Sequence, residues 1–425
     1  MACKDTSLSF YTSIKTLYRF RWVFCQLEVL RHCLPSSVKV FLEELPESLD
    51  DTYERILREI TKPNRGHAHR LMQCLVAAVR PLQVKELAEV LAFDFNVEGI
   101  PKLNPGWRWE DHEEAVMSAC SSLVMIVKDE DSRVVQFSHF SVKEFLTANR
   151  LANPIRDVSR YHIQLEAAHT ILAQACLGVL LRLDDSIDRD KIENFPLARY
   201  AAEYWDTHAR VENVSSRIKD GMECLFDEDK PHFATWIWIY DHGYYRDCPM
   251  HTMRPEKPYA VPLRYAAGFG FRDLAEHLIA SHPMHVNAHT QDGNSFTPMH
   301  EAAQFGHADV LSLLLENGAD LEAVDDFIMT PLHRASFLGT LEAVRCLLDH
   351  GANVEARCRG GWTPLHMAVE NKNRIQVVRL LLERGADVNA RDDDGRTPSQ
   401  HAVEKGLAEQ DVVELLSKYG AKSVK

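Results

Sequence analysis

No Gly-Lys dipeptide occurs anywhere in the 425 residues. A G-x-x-x-x-G-K-[ST] loop is therefore missing, and with it the usual backbone cradle for nucleotide phosphates. No C-x-x-C occurs either, although there are ten cysteines, at positions 3, 25, 33, 74, 120, 176, 224, 248, 346 and 358. That spacing fits neither a zinc knuckle nor a thioredoxin-like motif. Cys74, Cys176 and Cys346 sit among apolar helical residues, as buried free thiols of a reducing compartment do. Long apolar runs are also lacking. Ile171 to Leu183 is interrupted by Gln174 and Arg182 and is too short to span a bilayer. The first residues lack the profile of a signal peptide. The expected location is cytoplasmic, with no membrane partner. Positive charge is scarce: the formal net charge is -14, and no basic stripe offsets it. Such a chain is repelled by phosphate backbones, so nucleic acid is not an expected partner.

Motifs that carry chemistry stop short in the same way. His300-Glu301-Ala302-Ala303-Gln304 lacks the second histidine of H-E-x-x-H. Asp392-Asp393-Asp394-Gly395 lacks the spaced carboxylates and the closing Glu of a calcium loop, and reads as an exposed charged turn. His112-Glu113-Glu114 opens a helix as a solvated turn. No Ser-His-Asp or Cys-His constellation is suggested by spacing. No catalytic residue, metal ligand or cofactor is expected of this chain.

What the sequence does have is an internal period. Thr297-Pro298-Met299-His300 returns as Thr330-Pro331-Leu332-His333 and as Thr363-Pro364-Leu365-His366, then fades to Thr397-Pro398-Ser399-Gln400. The steps are 33, 33 and 34 residues. Gly318-Ala319-Asp320, Gly351-Ala352-Asn353, Gly385-Ala386-Asp387 and Gly420-Ala421 run in phase with it. Thr before a helix can cap its free N–H groups, and Pro at the first helical position wastes none. The small pairs Ala302-Ala303, Ala335-Ser336, Ala368-Val369 and Ala402-Val403 let the next unit approach closely. Second helices carry leucine stripes: Leu311, Leu314 and Leu315, then Leu347 and Leu348, then Leu380 to Leu382. Gly318, Gly351 and Gly385 end those helices where a left-handed residue is needed. One such unit cannot bury its own apolar face, so stacking is obligatory. The pattern resembles the ankyrin repeat. Val261-Pro262-Leu263-Arg264-Tyr265-Ala266-Ala267 starts a fifth, N-terminal unit that lacks the Thr and the His. A terminal unit is often atypical because one face meets something else, here the rest of the chain.

In ankyrin-like stacks the hairpin tips and first helices form a concave binding face. The resemblance implies a protein partner there, held by Asn294, Phe296, Gln304 and Phe305 of one unit. The next supplies Asp326, Phe327, Met329, Phe337 and Leu338. The following units supply Arg357, Arg359, Trp362, Glu370 and Asn371, then Arg391, Asp393, Asp394 and Arg396. Trp, Phe and Arg are common energetic anchors of interfaces. The competing expectation is that each tip aromatic packs on its neighbouring tip.

The N-terminal half reads as helices followed by a β-hairpin. Leu49, Tyr53, Ile56, Leu57 and Ile60 share a helical face after a Ser48-x-x-Asp51 cap. Leu71, Leu75 and Val79 mark a second helix, broken by Pro81. Val84, Leu87, Ala88 and Leu91 mark a third, and Ala115, Val116, Ala119 and Leu123 a fourth. Leu123 to Val127 and Arg133 to Phe140 read as strands around the polar turn Asp129 to Ser132. Ser141 is then expected to cap a helix through Phe145 and Leu146. Together these make a winged helix. DNA binding is the rival function, but Val84-Lys85-Glu86-Leu87-Ala88-Glu89-Val90-Leu91 carries two Glu where a major-groove helix needs donors. Residues 155 to 255 read as helical, with core stripes Leu197, Tyr200, Ala201, Tyr204 and Trp205, and Phe233, Trp236, Ile237 and Tyr240.

The runs Phe20-Arg21-Trp22-Val23-Phe24-Cys25-Gln26-Leu27 and Leu45-Pro46-Glu47-Ser48-Leu49-Asp50-Asp51-Thr52-Tyr53-Glu54, with Arg80-Pro81-Leu82 and Phe137-Ser138-His139-Phe140-Ser141-Val142-Lys143-Glu144-Phe145-Leu146, resemble fungal NACHT–ankyrin proteins. Leu197-Ala198-Arg199-Tyr200-Ala201-Ala202-Glu203-Tyr204-Trp205 resembles the linker after their winged helix. Those proteins are signal-transducing STAND NTPases akin to NOD-like receptors. Winged helices of this kind also go by the name of a GPI inositol-deacylase; no G-x-S-x-G occurs here, so the name brings no chemistry. The likeness starts after about residue 18 and implies a truncated form or an altered gene start. It also implies intramolecular contacts with a NACHT module, and at His139 a position where related histidines touch the phosphate of bound ADP; a packed or capping histidine is the plainer expectation. The expected fold is mainly α. A helical remnant fills 1–62, a winged helix with a small β-hairpin 63–153 and a helical connector 154–255. A C-terminal ankyrin-repeat α-solenoid of about five units fills 256–425. The expected function is non-catalytic: a scaffold or sensor module for protein–protein interaction.

Overall fold

A computed structural model describes residues 48–97, 99–129, 132–153, 157–188, 190–244, 260–291, 294–370, 374–404 and 410–421. The run from Phe20 to Leu27, the triplet Leu45-Pro46-Glu47 and Asn371 lie outside the described residues. The chain divides into two compact units, one of residues 1–180 and 187–218, the other of residues 181–186 and 219–425. The segment 154–255 is thus shared between both.

In the first unit, α1 (Leu49–Glu59) starts where Ser48 accepts the N–H of Asp51. Its face of Tyr53, Ile56 and Leu57 is buried. Helix α2 (Arg65–Ala77) ends four residues before Pro81, and Val79 is 49% exposed rather than part of the helical face. The chain turns extended at Ala78, and Pro81 bars Arg80 from helical geometry, so the apolar period overruns the helix. A three-stranded antiparallel sheet follows, ordered β1 (Leu82–Gln83), β3 (Ser132–Phe137), β2 (Val124–Asp129). Val135 faces Leu82 on one side and Ile126 on the other. Between β1 and β2 lie α3 (Val84–Glu89) and α4 (His112–Cys120). The second strand stops at Phe137, and α5 (Phe140–Thr147) is capped by His139, not by Ser141. Ser141 is buried inside the helix, where its hydroxyl meets Tyr53 Oη at 2.8 Å.

Helix α3 has little surface to offer a DNA groove. Every residue but Lys85 is buried. Glu86 takes both ends of the Arg80 guanidinium at 2.7 and 2.8 Å, and Glu89 pairs with Arg108. The two glutamates serve the core.

Among the described residues, further α-helices of this unit are α6 (Leu165–Leu180), α7 (Ala198–Ala209) and the short α8 (Val214–Arg217). Leu197, Tyr200, Ala201 and Trp205 are fully buried, as the aromatic stripe requires. A polar chain threads this core: the Val79 N–H donates to Tyr200 Oη, Tyr200 Oη meets His208 Nε2 at 2.9 Å, and His208 Nδ1 meets His169 Nδ1 at 2.9 Å. Burial drives the pKa of His208 down to about 3.

The second unit begins with α9 (Lys219–Leu225) and α10 (Pro231–Tyr244). Phe233 and Trp236 of α10 pack edge-on against Tyr265 at 5.7 and 5.6 Å, which covers the open end of the repeats. Helix pairs follow: α11 (Pro262–Phe269) and α12 (Arg272–Ser281), α13 (Pro298–Phe305) and α14 (Ala308–Glu316), α15 (Pro331–Leu338) and α16 (Leu341–Asp349), α17 (Pro364–Val369) and α18 (Ile375–Glu383), α19 (Pro398–Glu404) and α20 (Gln410–Lys418). Gly318, Gly351 and Gly385 have φ of 82, 87 and 91°, values only glycine adopts without steric cost. The leucine stripes face the core, although Leu315 and Leu348 are only half-buried.

Candidate protein-binding surface on the repeat stack

Each repeat is fixed to the next by its histidine. Thr297, Thr330 and Thr363 cap first helices in capping boxes with His300, His333 and His366. The Nδ1 atoms lie 2.9 Å from each Thr hydroxyl and accept the Thr N–H. The Nε2 atoms point at backbone carbonyls of the following unit: Met329 O at 3.0 Å, Trp362 O at 3.1 Å and Arg396 O at 3.3 Å. A carbonyl can only accept, so Nε2 carries the proton and the ring is neutral. Burial keeps it so, with all three pKa values lowered to about 4. The first unit has Arg264 in place of the histidine. Its guanidinium reaches Glu301 of the next unit at 2.7 and 2.6 Å, so the link survives in ionic form.

The tips are hairpins closed by backbone bonds from Thr290 N to Phe296 O, Asp325 N to Met329 O, Cys358 N to Trp362 O and Asp392 N to Arg396 O. Neighbouring tips join through Asp326 N to Asn294 O, Arg359 N to Phe327 O and Asp393 N to Gly360 O. Inside two tips a buried carboxylate organises the turn. Asp325 accepts the N–H groups of Phe327 and Met329 and pairs with Arg334; Asp392 accepts the N–H of Arg396 and meets His401 Nε2 at 2.7 Å. Asp392 is therefore a buried structural group rather than an exposed turn charge. The equivalent residue of the tip between them is Cys358, and the equivalent of Arg334 and His401 is Met367, so an apolar pair replaces the polar one.

The period sorts the expected contact residues into two groups. The position before each Thr is turned inward. Phe296 is 9% exposed, stacks on His300 at 5.8 Å and lies under Arg334 at 4.4 Å. Trp362 is half-buried, edge-on to His401 at 4.5 Å, and Met329 and Arg396 are half-buried too. The tip ends and the ends of first helices face solvent. Phe305 is 56% exposed, Phe327 46%, and Phe337 and Leu338 37% each. Asn294, Asp326, Arg357, Arg359, Arg391, Asp393 and Asp394 are exposed, and Gln304 and Glu370 half-buried. Arg357 and Arg396 also hold the tips, through the Arg391 carbonyl at 2.8 Å and Asp394 at 2.6 Å.

Sequence reasoning missed Ile328. It is 49% exposed beside Phe327 and has φ of 57°. The equivalent residues are Ser295, Gly361 and Gly395, with φ of 58, 73 and 77°. The available signal was an isoleucine at a position that two sister repeats give to glycine. A β-branched side chain in the left-handed region is strained, by about 1–2 kcal/mol.

His139 is half-buried beside the wing. Its Nδ1 accepts the N–H of Ser141 at 3.3 Å and meets the Ser141 hydroxyl at 2.6 Å, and its ring lies 4.2 Å from that of Phe140. This is the geometry of a capping histidine.

Comparison with known proteins agrees with this architecture. The family model described as ankyrin repeats matches three times, over residues 257–325, 323–392 and 357–425. The C-terminal stack is a set of ankyrin repeats. The model described as GPI inositol-deacylase, winged helix domain, matches residues 35–155. The N-terminal domain is that winged helix, a NACHT-associated module. The azaphilone pigments biosynthesis cluster protein L of Monascus ruber is 33% identical over 306 residues, covering 67% of this chain and 62% of that protein. Alpha-latrocrustotoxin-Lt1a of Latrodectus tredecimguttatus is 40% identical over 65 residues, 15% of this chain and 4% of the toxin. Ankyrin repeat domain-containing protein 49 of Bos taurus is 37% identical over 75 residues, 18% of this chain and 31% of that protein. The match thus spans under two thirds of the length of each relative. Among the described residues no helix is long and apolar enough to cross a membrane.

Proposed function

We propose that this chain is a non-catalytic recognition module of a NACHT-type signalling protein of the fungal cytoplasm, whose ankyrin stack grips a protein partner through its tips and first-helix ends. Ankyrin repeats bind proteins and do no chemistry themselves. The anchors on this reading are Phe305, Phe327, Ile328, Phe337 and Leu338, with Arg357, Arg359, Arg391, Asp393 and Asp394 as a charged rim. The observation that carries it is Ile328. A strained, exposed isoleucine stands next to an exposed phenylalanine where two of three sister repeats use glycine, and strain of this kind collects at functional sites. What supports the NACHT reading is the winged helix. The alternative occupant of the face is a NACHT module of the same protein; in that setting the family resemblance would give His139, a helix cap in this chain, the role of meeting a nucleotide phosphate. The test is Ile328→Gly. It should stabilise the fold by about 1 kcal/mol in urea denaturation, because strain is removed. The same change, and Phe327→Ala, should weaken capture of a partner identified with the wild-type chain and re-purified, by tenfold or more. Unchanged partner affinity in both variants would reject the surface.

A further inference from the structure

A second cluster lies away from the tips, at the start of the repeat unit. His282 ends helix α12, and His285 follows within the 3₁₀ turn Pro283–Asn287. Residues three apart eclipse one another in such a turn. The two imidazoles accordingly lie face to face, with ring centres 5.2 Å apart and planes 20° apart. Glu228, from the loop between α9 and α10, reaches over to them. Its Oε1 is 3.1 Å from His285 Nδ1. One ligand atom from each of Glu228, His282 and His285 falls within 4.8 Å of the other two.

We propose that Glu228, His282 and His285 bind one divalent transition-metal ion, with Zn(II) the ion their donor set fits. Two imidazole nitrogens and a carboxylate oxygen are a common three-ligand set for zinc, the fourth position being taken by water. Bonds of about 2.0–2.2 Å in a tetrahedron place donor atoms roughly 3.4 Å apart. Glu228 Oε1 and His285 Nδ1 are already that close, and the widest separation has to shrink by up to about 1.4 Å, a side-chain rotation open to groups that are only partly covered: the side chains of His285 and Glu228 are 17% and 29% exposed. An entry path exists. A cleft of 530 Å³, lined in part by Asp220, Glu223, Asp227, Asp229 and Lys230, opens onto His282; Lys230 pairs with Asp227, and the other carboxylates face an arriving cation. Bound there, the ion would pin the loop before α10 to the foot of the first repeat and hold in place the helix whose Phe233 and Trp236 cover that repeat. Divalent nickel, cobalt and copper share the donor preference and differ in affinity, so selectivity is a matter of supply.

The experiment uses the full chain, stripped with a chelator and desalted. Zinc chloride is titrated by calorimetry, and cobalt(II) absorption reports coordination geometry. The expected result is one equivalent of zinc retained through desalting, a visible cobalt spectrum of low-symmetry type, and a melting temperature raised by several degrees with zinc and unaffected by magnesium. The double variant His282→Ala/His285→Ala should lose all three responses, and His112→Ala none. Should the double variant fold poorly, Glu228→Gln alters a partly exposed side chain, and its chelated form should melt like the chelated parent while zinc affinity falls at least tenfold. Absence of zinc uptake by the parent, or uptake that survives both the double variant and Glu228→Gln, would overturn the site and leave a plain His285–Glu228 contact.

Discussion

The two compact units solve the burial of polar groups in opposite ways. In the winged-helix unit several buried polar side chains have partners found once: Tyr53 with Ser141, Glu86 with Arg80, and Tyr200 with His208 and the Val79 N–H. In the repeat unit one arrangement recurs, a neutral histidine tied to its own Thr and to the next unit's carbonyl. Unique partners bring residues distant in sequence together and tolerate little exchange. Repeated partners can be lost at one copy and replaced, as Arg264 and Glu301 do at the N-terminal end.

Acid should break the comparison most strongly. A histidine whose folded pKa lies below its unfolded value contributes stability that is complete above the unfolded pKa and is lost as pH falls through the window between them. For His300, His333 and His366 that window runs from 6.5 down to about 4. Each can cost at most about 3 kcal/mol there. Hydrogen exchange followed by mass spectrometry should show peptides of the stack losing protection across this range at three equivalent places. In the winged-helix unit His208, with its pKa at about 3, should dominate the loss. Stack protection that is flat between pH 6.5 and 4 would contradict the neutral-histidine account.

Truncating Trp205 comes next. Its side chain is fully buried, and Trp205→Ala should destabilise its unit by about 3–5 kcal/mol, read by denaturant titration or by local hydrogen exchange. No single repeat residue should match that figure, because neighbouring copies share the load.

The smallest effect sharpens the contrast. Cys358→Asp alone places an unpartnered carboxylate in a buried tip position and should cost about 1–3 kcal/mol. Adding Met367→Arg recreates the Asp325–Arg334 pair and should recover most of it. A double-mutant cycle with no coupling would show that the tips are not interchangeable.

How far the sequence discloses the molecule follows from the same contrast. The repeat unit was legible because Thr-Pro-x-His carries its own physics: a cap, a helix start and a side chain long enough to cross to the next unit. In the winged helix the elements were readable from apolar periods and turns. Their edges were not: Val79 keeps the period after the helix has ended, and Ser141 looks like a cap while His139 is the cap. Partners such as Tyr53 and Ser141, 88 residues apart, have no local trace. At the candidate surface the sequence located tips and helix ends but could not tell the inward position of Phe296 from the outward one of Phe327, because both are phenylalanines within a few residues of a Thr. It also passed over Ile328, although the glycines at the equivalent positions 361 and 395 hinted at the left-handed backbone there.

The bonds between adjacent tips run from backbone to backbone, from Asp326 to Asn294, Arg359 to Phe327 and Asp393 to Gly360. Such a rail is blind to side chains. The residues it carries can change from asparagine to phenylalanine to glycine without altering the spacing of the rungs. A duplicated or deleted repeat would extend or shorten the rail in whole rungs and present a new row of side chains in register with the old. Novelty in what this face recognises therefore comes at little risk to the frame that displays it.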